Sequence, residues 1–219
     1  MLQNDLAARS PRLITFEGGE GSGKSTQIAL LADRLRASGV RVVVTREPGG
    51  CPMAEKIRAL LVTGQPGDLE ARSEWLLMLA ARVEHIRKLI RPALERGDWV
   101  LCDRFADSTL AYQGHGRGID RSHLELLNQF VLDGLQPDLT LLLDIDPSIG
   151  LLRAGTQRQP LKVLDPVAVE NRFEQEALAF HQRVRAGFLE LAQANPTRFR
   201  VIDATMDPQQ VAAAVWEAI

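Results

Sequence analysis

The strongest constraint on the fold is a short glycine-rich segment that joins an apolar run to an amphipathic stretch. Residues 18–25 read Gly-Gly-Glu-Gly-Ser-Gly-Lys-Ser, which fits the pattern G-x-x-x-x-G-K-[ST]. The preceding run LITFE has the character of a buried strand, and Ile28, Leu31 and Leu35 recur after it at helical spacing. A strand, this loop and a helix in that order predict a loop that binds the phosphates of a nucleotide.

The chemistry of the loop follows from its residue types. Glycines allow successive N–H groups to turn inward on phosphate oxygens, and the helix N-terminus adds positive potential. We expect Lys24 to bridge β- and γ-phosphate oxygens and Ser25 to ligate Mg²⁺, with Asp103 holding the ion through water from the end of a later strand. The residues expected to bind ATP are Gly18, Gly19, Glu20, Gly21, Ser22, Gly23, Lys24, Ser25 and Thr26.

The rest of the chain alternates strand-like and helical segments. Apolar runs at residues 13–16, 40–44, 99–102, 139–143 and 199–202 are predicted strands. This alternation predicts an α/β fold with a parallel sheet covered on both faces, and 219 residues predict one domain spanning residues 1–219. One long helix carries Leu76, Leu79, Val83, Ile86 and Ile90, all expected in the core. Residues 154–169 lack periodicity and are a lid candidate, with an ordinary surface loop as the alternative.

The composition limits the classes of binding partner that we expect. A formal net charge of −2 gives no support for a nucleic-acid or membrane partner, because either usually requires a basic surplus. The first residues contain no apolar signal segment, so we expect a cytoplasmic protein without a membrane span. Cys51 and Cys102 are expected to be reduced, packed thiols.

Arginines cluster where a second phosphate would bind. Arg46 ends the second predicted strand, Arg58 and Arg82 lie on helices, and Arg104 directly follows Asp103. Ligands of open α/β sheets bind at the carboxyl ends of the strands, and guanidinium forks suit phosphate. The N-K-x-D motif of a guanine-specific switch is absent from the sequence. The arrangement therefore predicts a phosphotransferase whose acceptor is a nucleoside monophosphate.

The motifs together resemble the thymidylate kinase family in its bacterial form. The segments FEGGEGSGKST, TREPGG, AARVEH, CDRFADSTLAYQGHGRGID, PDLTLLLD, RFEQE and VIDA stand in the order typical of that family. The resemblance implies the P-loop kinase fold, a five-stranded parallel sheet in the order 2-3-1-4-5 with flanking helices and a lid. It also implies transfer of the γ-phosphoryl group of MgATP to dTMP, giving dTDP, by a homodimer.

The resemblance also assigns residues to dTMP. It implies that Glu20 accepts from the 3′-hydroxyl, that Arg82 donates to thymine O4, and that Tyr112 lies near C2′ of the sugar. The implied phosphate clamp is Arg46, Arg58 and Arg104, and the implied base-reading loop contains Ser108, Thr109 and Gln113. Met78 stands where the family has a phenylalanine stacked on thymine, so base stacking here is expected to differ.

The source of the transition-state charge is a further expectation. The eukaryotic form of the family has an arginine in the P-loop at the position of Gly21, so the charge has to come from elsewhere. By resemblance to the bacterial form it comes from the lid, where Arg158 is the first candidate and Arg153 the second, with Lys162 behind them. Lys24 and Arg104 complete the expected catalytic set. Cys51 replaces a threonine, and residues 157–171 exceed the length of the usual lid.

Two other functions fit parts of the pattern. A deoxynucleoside kinase would require a carboxylate base at the 5′-hydroxyl, a role open to Glu47, but it has no use for an arginine clamp on phosphate. A regulatory module would bind ATP without turnover. An assay that compares dTMP, thymidine, dUMP and no acceptor distinguishes these functions.

Overall fold

The computed structural model describes residues 12–157 and 171–219. Its centre is a five-stranded sheet in the order β2-β3-β1-β4-β5 in which all neighbours are parallel. The strands are β1 (Leu13–Glu17), β2 (Val42–Arg46), β3 (Trp99–Asp103), β4 (Leu139–Asp144) and β5 (Phe199–Asp203). The predicted fold and strand order are therefore confirmed.

The sheet places the predicted ligand-binding segments side by side. β1 lies between β3 and β4 and is buried along its whole length. Phe16 of β1 is paired in register with Asp103 of β3, and Arg46 of β2 is paired with the same residue. Because parallel strands end at one edge of the sheet, the P-loop, Asp103 and Arg46 meet there.

Helices cover both faces of the sheet. They are α1 (Lys24–Ala37), α2 (Pro52–Val62), α3 (Ala71–His85), α4 (Arg91–Glu95), α5 (Ala106–Thr109), α6 (Arg121–Leu132), α7 (Pro147–Gln157), α8 (Leu178–Ala194) and α9 (Pro208–Glu217). Two π-helical segments, Ile86–Ile90 and Leu110–Gly116, continue α3 and α5 without a break. The second segment contains Tyr112 and Gln113, which are predicted to bind dTMP, and π-helical turns are often found at functional sites.

The apolar core has a layer on each face of the sheet. One layer joins β1 and β4 to α1 and α9, and the other joins β3 to the segment Ile86–Ile90 and α4. The prediction that the whole apolar stripe of α3 belongs to the core is wrong for two residues. Leu79, Ile86 and Ile90 are buried, whereas Leu76 is 54% and Val83 37% exposed, because they lie on a different face of the helix.

Two predicted boundaries also differ from the structure. The second strand begins at Val42 instead of residue 40, because the amide of Val40 donates to the carbonyl of Leu35 and closes the end of α1. Residues 154–157 belong to α7, so the expected lid does not begin at residue 154. The remainder of that lid, residues 158–169, lies outside the described residues. In the described parts of the chain, no helix is long and apolar enough to cross a bilayer.

Candidate active site

The phosphate cradle is formed by the predicted loop. Gly21, Gly23, Lys24, Ser25 and Thr26 line one cavity at the start of α1. The Lys24 ammonium donates to the carbonyls of Gly18, at 3.2 Å, and Gly19, at 2.9 Å. Burial, together with nearby Arg104, lowers the pKa of Lys24 from its ordinary value. An incoming phosphate would add negative charge beside this buried cation and favour its charged form.

Two oxygens beside the cradle fit a hard cation. The Ser25 hydroxyl donates to Oδ2 of Asp103 at 3.3 Å. Oδ1 of Asp103 is buried and has no hydrogen-bond partner among the described residues. Mg²⁺ prefers oxygen ligands and is usually held by few protein groups together with substrate phosphates. The donor set at Ser25 and Asp103 therefore fits the ion that the sequence predicts.

A second cavity adjoins the cradle and has the composition of a nucleoside site. Its wall combines apolar side chains with buried polar groups from α2, α3, the α5 region and the segment before α8. Residues predicted to bind dTMP that line it are Glu20, Arg58, Met78, Arg82, Arg104, Ser108, Thr109, Tyr112 and Gln113. The structure thus brings together every predicted dTMP residue except Arg46 in one cavity.

The two cavities share charged residues at their junction. Glu20, Glu47, Arg58 and Arg104 line both of them. Arg58 also donates to the carbonyl of Pro48 at 2.8 Å. A phosphate at the end of a nucleoside in the second cavity would therefore face the cradle across this junction.

Arg104 is held at the junction in an unusual backbone conformation. Its φ of 66° lies in the left-handed region, which costs a non-glycine residue about 1–3 kcal/mol. Its guanidinium donates to the Gly18 carbonyl at 3.0 Å and to Glu20 at 2.8 Å, and lies over the Tyr112 ring. Burial alone would lower the pKa of Arg104, but Tyr112 and Glu20 outweigh burial and raise it. Arg104 is therefore a permanent cation at this position.

Glu20 is an ionised acceptor at the junction of the two cavities. It accepts from Arg104 and from the Tyr112 hydroxyl, each at 2.8 Å. Burial raises the pKa of this carboxyl, but Arg104 and Lys24 outweigh burial and lower the pKa to about 2. A carboxylate of this kind is able to accept from a sugar hydroxyl, and that role of Glu20 stays a prediction.

Arg82 and Glu47 form a buried ion pair beneath the cavity. Arg82 donates from Nε to Glu47 at 2.7 Å, and His85 contacts the other Glu47 oxygen at 3.0 Å. Burial would raise the pKa of Glu47, but Arg82 and His85 outweigh it and hold the pKa below its ordinary value. Glu47 is therefore engaged on both oxygens, which argues against its use as a free general base.

Four predicted residues lie elsewhere or fall outside the described residues. Arg46 lines the cradle but not the nucleoside cavity, and its exposed guanidinium donates to Glu55 at 3.0 Å. Arg153 lies on α7 and donates to the carbonyl of Ala204 at 2.8 Å. Arg158, the first candidate for the catalytic arginine, falls outside the described ranges, as does Lys162. The roles of Arg153 and Arg158 remain predictions.

Gly21 of the P-loop is tightly packed against α7. A Cβ at Gly21 would lie 1.9 Å from the carbonyl oxygen of Gly150 on α7, and one at Gly150 would lie 2.3 Å from the Glu20 carbonyl oxygen. Gly21 also has a φ of 65°, which disfavours other residues. An arginine at this point of the loop has no room here, and α7 is packed directly on the P-loop instead.

Sequence reasoning missed buried groups behind the cavity. Glu17 at the end of β1 accepts from the Phe105 amide at 2.8 Å and from the Ser108 hydroxyl at 2.6 Å. Glu74 on α3 is completely buried, and Arg172 lines the cavity from the segment before α8. A signal for Glu74 was available, because it precedes Met78 by four residues and therefore lies on the same helical face.

Comparison with known proteins decides the family. The family model described as thymidylate kinase matches residues 16–215. The chain belongs to the thymidylate kinase family. A thymidylate kinase of Magnetococcus marinus is 58% identical over 208 residues, which cover 95% of each chain. One of Thermomicrobium roseum is 52% identical over 206 residues, covering 94% of this chain and 93% of the relative.

A solved structure agrees with this assignment. The crystal structure of thymidylate kinase from Ehrlichia chaffeensis superimposes with a TM-score of 0.74 at 37% identity, covering 95% of this chain and 98% of that chain. The family, the P-loop kinase fold and the enzyme class that the sequence predicts are therefore confirmed. The roles of individual residues rest on the geometry described above.

Proposed function

We propose that this protein transfers the γ-phosphoryl group of ATP to dTMP, giving dTDP and ADP. The observation that carries the proposal is the junction, where a nucleoside cavity opens onto a P-loop cradle through Glu20, Arg58 and Arg104. Membership of the thymidylate kinase family supports dTMP as the acceptor. The reaction serves the synthesis of dTTP.

The residues at the junction align the two substrates. Arg58 and Arg104 bind the acceptor phosphate and place one of its oxygens against the γ-phosphorus, while Arg46 approaches from the cradle side. Lys24 and Arg104 stabilise the charge that spreads over the equatorial oxygens in the transition state. Because Arg104 is a partly buried permanent cation fixed by Glu20, this stabilisation requires little reorganisation during transfer.

The acceptor needs no general base, because a phosphate oxygen is already ionised near neutral pH. This distinguishes the proposal from a deoxynucleoside kinase, in which Glu47 would have to take a proton from the 5′-hydroxyl. Both oxygens of Glu47 are engaged by Arg82 and His85, at 2.7 and 3.0 Å. The geometry therefore favours a phosphorylated acceptor over thymidine.

We propose Mg²⁺ as the cofactor, held by Ser25 and, through water, by Asp103. When bound with ATP, the ion would neutralise phosphate charge during transfer. The unpartnered Asp103 oxygen within the described part of the chain and the adjacent Ser25 hydroxyl supply the oxygen environment that this ion requires.

The organisation of the protein completes the proposal. We propose that residues 1–219 form a single domain with a lid between α7 and α8, and that the enzyme acts in the cytoplasm on nucleotides dissolved there. We also propose a homodimer, because apolar side chains are exposed together on α3 and on α6, which packs against it. These residues are Leu76, Val83, Leu126 and Phe130.

A coupled assay of ADP release tests the proposed function. We expect ATP-dependent turnover with dTMP, weaker turnover with dUMP and essentially none with thymidine or without an acceptor. Equal rates with dTMP and thymidine would contradict the phosphate clamp. Binding of ATP without turnover on any acceptor would instead support a regulatory nucleotide-binding module.

A further inference from the structure

A buried carboxylate links the nucleoside cavity to the segment before α8. Glu74 lies in the first turn of α3 and is 0% exposed. Oε1 accepts from Gln113 Nε2 at 2.8 Å and from Arg117 Nε at 3.2 Å. Oε2 accepts from Arg117 Nη2 at 3.0 Å and from Arg172 Nη2 at 2.8 Å. The Glu74 carboxylate is thus a hub for three side chains from two parts of the chain, residues 113–117 and Arg172.

The charges of the hub keep Glu74 ionised. Burial alone would raise the pKa of Glu74, but the bonds from Arg117 and Gln113 and the charge of Arg172 outweigh burial and lower the pKa. Arg117 also pairs with Glu176 at 2.6 Å, so the two arginines face two carboxylates. An ionised carboxylate only accepts hydrogen bonds.

An acceptor-only partner determines how the Gln113 amide is oriented. Only Nε2 can face Glu74 at 2.8 Å, because Oε1 in that place would bring two acceptors into contact. Oε1 therefore points away from Glu74. Gln113 is buried and lines the nucleoside cavity, so this oxygen could accept a hydrogen bond from a base in that cavity.

Arg82 lines the same cavity and offers a hydrogen-bond donor, whereas the Gln113 oxygen is an acceptor. Four of its five N–H groups are engaged, by Glu47, Thr109, Asn128 and the Phe105 carbonyl. One Nη2 hydrogen remains for a ligand, because that nitrogen makes one bond among the described residues. Arg82 lines the cavity two helical turns after Glu74. The cavity thus combines a donor and an acceptor in fixed positions.

We propose that Glu74 is a positioning residue for base specificity: it holds Gln113 so that Oε1 accepts from N3–H of thymine or uracil while Arg82 donates to O4. The inference rests on the proposed function, since it assumes a pyrimidine in this cavity. Cytosine reverses both groups, with an acceptor at N3 and an amino donor at C4. Oε1 would then face the lone pair of N3, and the engaged amide could not turn to compensate.

The variant Glu74→Gln tests this positioning. A glutamine at residue 74 offers both a donor and an acceptor, so Gln113 can pair with it in either orientation and can present Nε2 to cytosine. We expect the ratio of kcat/KM for dTMP over dCMP to fall by about 10-fold or more, which corresponds to one mispaired hydrogen bond. The ratio for dTMP over dUMP should stay the same, because these bases share the same hydrogen-bonding edge.

Two further variants control the experiment. Gln113→Leu removes the amide and should lower the dTMP to dCMP ratio similarly, and Glu74→Gln added to it should cause no further fall. Glu125→Gln is the matched control, because Glu125 is an exposed partner of Arg121 on α6, and its ratios should equal those of the unaltered protein.

The outcomes separate this inference from the proposed function. Loss of activity on all three nucleotides in equal proportion, with both ratios unchanged, would show that Glu74 is only structural and would overturn the proposal. If Glu74→Gln does not fold, an unchanged dTMP to dCMP ratio in Gln113→Leu overturns it equally. Absence of dTMP kinase activity in the unaltered protein would instead contradict the proposed function itself.

Discussion

At the scale of single residues, the site consists of charges that are paired before a substrate binds. Arg104 pairs with Glu20 in a partly buried environment, and Arg82 pairs with Glu47 in a buried one. A bound phosphate or base would add to these pairs, because both arginines line the nucleoside cavity. Such preorganised pairs stabilise substrate charge without first having to desolvate a free cation.

The first prediction concerns Arg104. Arg104→Ala should lower kcat/KM for dTMP by about 10-fold or more, because a charge-assisted hydrogen bond in a buried site contributes about 1.5–3 kcal/mol. The measurement is steady-state kinetics with dTMP varied at saturating ATP. Arg36→Ala is a suitable control, because Arg36 makes an exposed pair with Asp33 on α1. Unaltered kinetics in a folded Arg104→Ala variant would exclude the proposed role.

The second prediction concerns Glu17 and pH. Burial raises the pKa of Glu17 to about 8, and Asp107 adds to the rise, against an ordinary value of 4.5. The folded protein therefore binds this proton more tightly than the unfolded chain does. The stabilisation is fully present below pH 4.5 and is lost as the pH rises through about 8.

Glu17→Gln removes this titration while keeping a similar shape. Between pH 6 and pH 9 the unaltered protein should lose about 2 kcal/mol of unfolding free energy more than the variant does. Urea unfolding at the two pH values measures the difference. Glu125→Gln, at an exposed ion pair, should behave like the unaltered protein. Parallel pH profiles for Glu17→Gln and the unaltered protein would mean that Glu17 titrates normally.

At the scale of elements, the sequence predicted what local pattern controls and missed what distant packing controls. The strand, P-loop and helix at residues 13–37 follow from glycine positions and apolar periodicity, so they were predictable. Glu74 and Arg172 become a site only when segments 98 residues apart in the chain meet, at 2.8 Å, in a buried pair. A lone polar residue on an amphipathic helix ordinarily indicates a solvated face, which is why Glu74 was not predicted. Arg172 lies in a turn before α8, where helical periodicity gives no signal.

Helix α7 occupies the space that an arginine at Gly21 would need, because it is packed on the P-loop through Gly21 and Gly150. The proposed lid follows α7 in the sequence. We predict that Arg158→Ala lowers kcat by about 10³-fold with a much smaller change in substrate binding, because the contact forms mainly in the transition state. Arg153→Ala is measured separately, since Arg153 also donates to the Ala204 carbonyl.

The control for the lid experiment is Arg200→Ala. Arg200 lies on the edge strand β5, which β4 separates from β1, and it donates to the carbonyls of Pro196 and Phe199. Single-turnover rates together with dissociation constants separate chemistry from binding. If neither lid variant lowers kcat by 10-fold, Lys24 and Arg104 must carry the transition-state charge.

At the scale of the whole molecule, α3 would connect the nucleoside cavity to the proposed dimer interface. One face of the helix carries Met78 and Arg82 in the nucleoside cavity. Another face exposes Leu76 and Val83 beside α6, where Phe130 is 79% exposed. Large apolar side chains exposed on two packed helices are costly in water and are typical of a protein interface. A second copy of the chain that covers this face would also fix the helix that reads the base.

The last prediction tests that connection. Phe130→Glu places a charge at the centre of the exposed apolar face, so it should convert the proposed dimer to a monomer, because an unpaired charge cannot be buried without a large cost. Light scattering coupled to size-exclusion chromatography measures the mass. Leu152→Glu is the matched control, because Leu152 is 70% exposed on α7 and should leave the mass unchanged. If α3 depends on the interface, the monomeric variant should also bind dTMP more weakly, while ATP binding at the P-loop stays close to that of the unaltered protein. A dimeric Phe130→Glu variant would show that the interface lies elsewhere.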